Sequence, residues 1–255
     1  MNFIEFESNI EKRTKIANLI REEEKINQGN TIVIVDENGT EQKAEYRNNK
    51  IFLGETELKN LNLILIYKGN NSLIKIQKSA NINRARIEVG EGCYIYFGKN
   101  FRVRQNININ VVNKNNTLYI GENCNIGDAN IYAGDEPELE VIIGKDFLSA
   151  YNLIIRASDG HTIFDTNTKE ILNNPLFGVH IGSHVWCGLS VTIIKDVFIP
   201  SDCVVGACAL VCNKQFNKHS IIAGFPAKEI KTNISWDSRS ICKFLDGEKN
   251  NGKQN

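Results

Sequence analysis

Apolar residues recur at every sixth position across IGSHVWCGLSVTIIKDVFIPSDCVVGACALVCNKQ, residues 181–215. The series is Ile181, Cys187, Ile193, Ile199, Val205 and Val211. Four positions after each of the first five stands Val185, Val191, Val197, Cys203 or Ala209. The residue just after the repeat position is Gly or Pro at Gly182, Gly188, Pro200 and Gly206. A period of six fits neither the 3.6-residue turn of a helix nor the alternation of an ordinary strand. It predicts a β-solenoid, in which each hexad lays one short strand along a face and turns a corner into the next. Gly or Asn at the corner supplies positive φ at little cost.

The pattern extends upstream with less regularity. Phe97, Val103 and Ile109 keep the step of six, Ile120 and Ile126 head two more hexads, and after an acidic loop at 134–140 the frame restarts at Ile143 and reaches Ile155. From 31 to about 116, short apolar runs alternate with Asn- and Gly-rich corners. These read as early coils, with a separate small β domain as the competing account. Asn tolerates the left-handed conformation and can stack on Asn of the next coil as an amide ladder. Residues 8–27 predict a helix, with Ser8 and Glu11 as a capping box, Ile10, Ile16, Leu19 and Ile20 as its apolar stripe, and Gly29 to end it. Such a helix would cap the open first coil. The expected division is a capping helix over 1–30, a parallel β-helix over 31–224 and a C-terminal tail over 225–255 with a turn or two of helix.

The frame breaks once. Ile155 and Ile181 lie 26 residues apart, which is not a multiple of six. The polar, turn-rich sequence between them predicts a loop extruded at about 156–180, and loops held on a rigid scaffold are favoured places for chemistry.

Composition narrows the field. The 255 residues are 42% hydrophobic with a formal net charge of zero, so no nucleic-acid footprint is indicated. The acidic start MNFIEFESN lacks the basic and apolar regions of a signal peptide, and no run is long enough to span a membrane. Seven cysteines without an export signal read as reduced thiols of a cytoplasmic protein. Cys124, Cys187 and Cys203 fall on inward slots.

Three candidates for chemistry stand out. His161 lies in the extruded loop between Asp159 and Asp165; a carboxylate holding one ring nitrogen would leave the other free to take a proton, although a solvated loop histidine is an equal account. Trp186 is the odd residue at the sixth place of its hexad, suited to stacking on a sugar, lining an acyl pocket, or packing on another subunit. His161, His180 and His184 also permit a three-histidine zinc reading. Their spacing suits a helix rather than a strand, so no metal is expected.

These residues together resemble the hexapeptide-repeat, left-handed parallel β-helix acyltransferases, within them the O-acetyltransferases of bacterial capsular polysaccharides and sialic acids. The resemblance rests on the hexads from 181, SDGHTIFD, HVWCG and IIAGFPAKEI, and is specific over about 143–236. It implies a homotrimer with acetyl-CoA in the groove between subunits, a carbohydrate acceptor, His161 as the base and Trp186 on the acceptor side. Gly188, Gly206, Ala207, Lys214, Ala223, Gly224 and Lys228 would line the CoA groove. The chain departs from the family's usual wording at GACALVCNK, with one residue more before Lys214. An N-acyltransferase of a nucleotide-linked amino sugar and a non-catalytic solenoid scaffold are the alternatives.

Overall fold

The computed structural model describes residues 31–35, 40, 48–54, 61–212 and 215–251. The helix expected over 8–27 and Lys214 lie outside the described residues. What is described is almost entirely short strand, wound into a solenoid of about seven turns with three faces.

The first face stacks Thr31–Val35, Leu61–Tyr67, Asn81–Val89, Ile107–Val111, Ala129–Tyr132, Leu153–Arg156, Thr192–Ile193 and Leu210–Val211. The second stacks Arg102–Val103, Asn125–Ile126, Leu148–Ser149, Trp186–Cys187, Val204–Val205 and Ile221–Gly224. Lys50–Leu53, Leu73–Ile76, Tyr94–Phe97, Thr117–Ile120, Glu140–Ile143, Gly178–Ile181 and Val197–Ile199 form the third. The chain visits the third face, then the second, then the first, and each strand pairs in parallel with its counterpart one coil away. Asn81–Val89 spans two faces: its start pairs with Arg102–Val103 and its end with Ile107–Val111. The stack closes on an antiparallel pairing of Ile221–Gly224 with Ala227–Lys231. A helix at Ile241–Asn251 follows.

The hexad heads fill the interior. Phe97, Val103, Ile109, Ile120, Ile126, Ile143, Ile155, Ile181, Cys187, Ile193, Ile199, Val205 and Val211 are all buried, in one core that runs from Leu61 to Ala227. Each such side chain withdrawn from water contributes on the order of 1.5–3 kcal/mol before entropy is charged against it. Cys124, Cys187 and Cys203 sit in that core, as their slots predict.

The uneven period upstream has a geometric cause. In the late coils Val179 lies beside Val197, 18 residues on, which is three hexads. In the middle coils Tyr94 lies beside Thr117, 23 residues on. Most of the excess gathers at the edge between the first and third faces. Five residues separate Val111 from Thr117 and seven separate Tyr132 from Glu140, against three between Ile193 and Val197. The extruded loop leaves from this same edge, between Leu153–Arg156 and Gly178–Ile181.

Corners are held by left-handed residues stacked in columns. Asn100, Asn123, Asp146, His184, Asp202 and His219, all with φ between 55° and 63°, mark the edge between the third and second faces. Asn100 donates to Asn123 at 2.9 Å and Asn123 to Asp146 at 3.0 Å, so the expected amide ladder forms. Inside the corners, the buried Asn116 donates to Ala133 O at 2.6 Å and accepts from the Leu139 amide at 3.1 Å.

Candidate active site

The extruded loop is anchored at both roots. Asp135, on the preceding coil at the same edge, accepts from Ser158 Oγ at 2.7 Å and from Arg156 at 3.2 Å, while the Arg156 guanidinium also lies 4.9 Å from the Tyr132 ring centre. At the far root Asp196 Oδ1 accepts the amides of Leu176 at 2.8 Å and Phe177 at 3.1 Å. Between them, Lys195 Nζ binds Asp159 and reaches Asn173 O at 2.8 Å. Asn173 in turn donates to Asp159 at 2.9 Å and to His161 O at 2.8 Å, and accepts from the Ile163 amide at 2.8 Å. The tip is a small antiparallel turn closed by the Phe164–Ile171 bridge.

His161 is exposed, and among the described residues its ring has no hydrogen-bond partner. The flanking aspartates are engaged elsewhere. Partial burial pushes the Asp159 carboxyl up, but the bonds from Lys195 and Asn173 outweigh it and hold the group below the usual carboxylate range. Asp165 is held low by the amides of Thr168 and Asn167, each 2.8 Å from Oδ1. So neither carboxylate orients the imidazole. What the loop fixes is the backbone that carries the ring, with Asn173 donating to the His161 carbonyl.

Trp186 stands on the second face between Leu148 and Val204, 40% exposed. His161 and Trp186 occupy different parts of the prism, one on a loop at the first–third edge and the other on the opposing face. His180 and His184 do not gather with His161. His180 meets Glu140 at 3.1 Å and Phe177 at a ring separation of 4.9 Å; His184 meets Asp202 at 3.0 Å.

Gly188, Gly206, Ala207, Ala223 and Gly224 come together along the edge between the second and first faces. A Cβ on Gly188 would fall 2.8 Å from the Ala207 nitrogen, and one on Gly206 would fall 2.9 Å from the Ala223 Cβ, so the column is as slender as its backbone. Ala207, Gly224 and Lys228 are exposed along it, and Lys228 pairs with Ala223 across the terminal hairpin. The Gly188 amide donates to Val205 O at 2.8 Å and so is not free to meet an oxyanion.

Sequence reasoning missed a second tryptophan. The tail runs back over the solenoid so that Trp236 stacks on His184 (ring centres 4.3 Å apart, planes 9° apart), donates to His184 O at 2.8 Å and stands 6.0 Å from the Trp186 ring. Asp237, held down to about 2 by the side-chain and backbone bonds with Arg239, follows it. The signal in the sequence was a tryptophan in the otherwise polar stretch SWDSRS, residues 235–240.

Among the described residues no three His, Cys, Asp or Glu side chains are grouped to hold a metal ion, and no helix is long and apolar enough to cross a membrane.

No family model matches the chain. It is 30% identical over 191 residues to a polysialic acid O-acetyltransferase of Neisseria meningitidis, covering 66% of this chain and 87% of that protein. It is 31% identical over 156 residues to a polysialic acid O-acetyltransferase of Escherichia coli O1:K1 / APEC, covering 61% of this chain, which spans about half (48%) of that relative's length. The crystal structure of the polySia-specific acetyltransferase NeuO superposes with a TM-score of 0.72 at 25% identity, over 90% of this chain and 91% of that one. The fold they share is the left-handed parallel β-helix.

Proposed function

We propose that this chain, which belongs to the hexapeptide-repeat acyltransferases alongside the polysialic acid O-acetyltransferases, transfers an acetyl group from acetyl-CoA to a hydroxyl of an acidic capsular polysaccharide, sialic acid being the first acceptor to try. The observation that carries the reading is the placement of His161: an exposed imidazole, free of side-chain partners among the described residues, on a loop pinned at both roots. Positioned imidazole on a rigid mount is what general-base catalysis needs.

In the proposed reaction His161 removes the proton of the sugar hydroxyl as that oxygen attacks the thioester carbonyl. The tetrahedral intermediate collapses, the C–S bond breaks, and the CoA thiolate takes the proton back from the imidazolium. An ester and free CoA thiol leave, and the histidine returns neutral. The slender edge at Gly188, Gly206, Ala207, Ala223 and Gly224 would receive CoA against bare backbone, with Lys228 as a charge for its phosphates; Lys214 is the further cation the resemblance implies.

A single chain sets His161 and Trp186 apart, which favours a site completed by a second copy, as in the trimer expected above. The loop also exposes Ile163, Phe164, Ile171, Leu172 and Leu176, a concentration of apolar surface suited to a neighbouring subunit. The test is mass spectrometry of oligosialic acid after incubation with acetyl-CoA and the protein. A gain of one acetyl mass, released by mild alkali as an ester is, supports the reading. An alkali-stable acetyl group would indicate transfer to nitrogen, and no gain on any acidic glycan would remove the activity.

A further inference from the structure

Between the returning tail and the second face lies a cleft of about 360 Å³, lined by Asn123, Asn125, Asp146, Leu148, His184 and Trp236 with the residues next to them. Its floor includes Asn125 and Leu148, the middle of a register column that continues past the cleft to Arg102 on one side and Trp186 on the other. Arg102 pairs with Asn125, Asn125 with Leu148, and Leu148 with Trp186, one coil apart at each step. Neighbouring strands are about 4.8 Å apart, so the column runs roughly 14 Å from the guanidinium-bearing residue to the indole. That is room for more than a single sugar ring.

Each part of the column offers a different contact. Trp236, fixed flat on His184 and tilted 44° to Trp186, gives the cleft an aromatic wall, the kind of surface on which the C–H face of a pyranose packs. The Asn125 amide oxygen is shielded from water and has no hydrogen-bond partner among the described residues. A buried acceptor left unmet is costly, and a turn of the amide toward a ligand hydroxyl or N-acyl group would recover that cost. Two carboxylates line the cleft: Asp237 is ion-paired with Arg239, while Asp146 accepts from the neutral Asn123 amide at 3.0 Å and keeps its charge. An acidic group is therefore to be met at the Arg102 end of the column. Arg102, beside Asn125 in the column, is exposed and has no ion-pair partner among the described residues. Its planar fork suits a carboxylate.

We infer that this cleft is an acceptor subsite for a carboxylate-bearing sugar, with Arg102 on the carboxylate, Asn125 on a polar substituent and Trp236 against the ring. It holds the residue of the glycan chain next to the one presented at Trp186. The inference rests on the acetyltransferase reading for the identity of the glycan, but the binding it describes can be measured without transfer.

The experiment titrates the full chain, without CoA, with oligosialic acid while tryptophan fluorescence is followed. A neutral dextran oligosaccharide of similar length serves as the control. Saturable quenching by the acidic glycan alone is expected. Arg102→Gln should weaken it at least tenfold and remove most of its salt dependence. Trp236→Ala should weaken it comparably, with Trp236→Phe restoring most of the affinity, and an unchanged melting temperature in Arg102→Gln guards against misfolding. Affinity unmoved by Arg102→Gln, equal binding of dextran, or no saturable binding would each overturn the subsite. Acetyl transfer to the same oligosaccharide is scored separately. Transfer with a normal acceptor KM in Arg102→Gln and Trp236→Ala sinks the subsite and leaves the activity. Binding without transfer sinks the activity and leaves the subsite.

Discussion

His161 owes its position to side chains other than the aspartates beside it in sequence. Lys195 and Asn173 take up Asp159, and the backbone of the loop presents the imidazole. His161→Ala should therefore fold with an unchanged melting temperature and bind CoA normally, while acetyl transfer falls about 10²–10⁴-fold, the usual contribution of a general base. Near wild-type turnover would move the base elsewhere. Asp159→Asn is predicted to act through the loop, lowering transfer less than His161→Ala does. The thiols give a second check at this scale. Burial pushes the Cys124 thiol up to about 12 and the Cys187 thiol higher still, and the thiolate is the reactive form. Maleimide labelling of native protein near pH 7.5, read by peptide mass spectrometry, should mark Cys208 and Cys242, which are exposed, and spare Cys93, Cys124, Cys187 and Cys203 until the chain is denatured. His161 and Trp186 were singled out in the sequence because each breaks a pattern, and both remain part of the proposal. The partners of Asp159 were not, since nearness along a chain says nothing about which way a carboxylate turns.

Among the elements, corners and loop roots carry the sharpest expectations. A Cβ at Gly182 would come within 2.4 Å of the Ser201 nitrogen, a backbone atom that cannot step aside. Gly182→Ala should cost about 1–3 kcal/mol, seen as a melting temperature lower by several degrees in a chain of this size. Asp196→Ala removes the acceptor that gathers two amides at the far root of the loop. It should make residues 157–177 a preferred site of limited proteolysis and depress transfer while the solenoid persists. An uncut loop would show that Lys195 suffices. The hexads of 181–215 were readable because their corners are short and leave the step of six intact. The earlier coils were blurred by extra residues at one edge, which shift the frame without altering the inward slots. The course of the tail was illegible, since no period marks a strand-less segment that lies over a face.

For the whole molecule, the proposed site draws His161 from one copy and Trp186 from another, so two inactive variants should complement each other. Refolding an equal mixture of His161→Ala and Trp186→Ala chains, and comparing it with each refolded alone, should recover transfer at about a quarter of wild-type sites if trimers assemble at random. A mixture as inactive as its parents would place both side chains in one subunit's site. The edge between the first and third faces has one more consequence. It admits three residues in one coil, five or seven in others and twenty-one in the loop, while the strands on either side stay in register. Such a seam separates the inheritance of shape from that of the proposed base: the strands can be kept as they are while the cargo spliced at the seam is exchanged. Grafting residues 157–177 from a relative should accordingly change the rate of transfer with little loss of stability, while acceptor choice stays with the second face, so this seam is the first place to cut when turnover is to be altered.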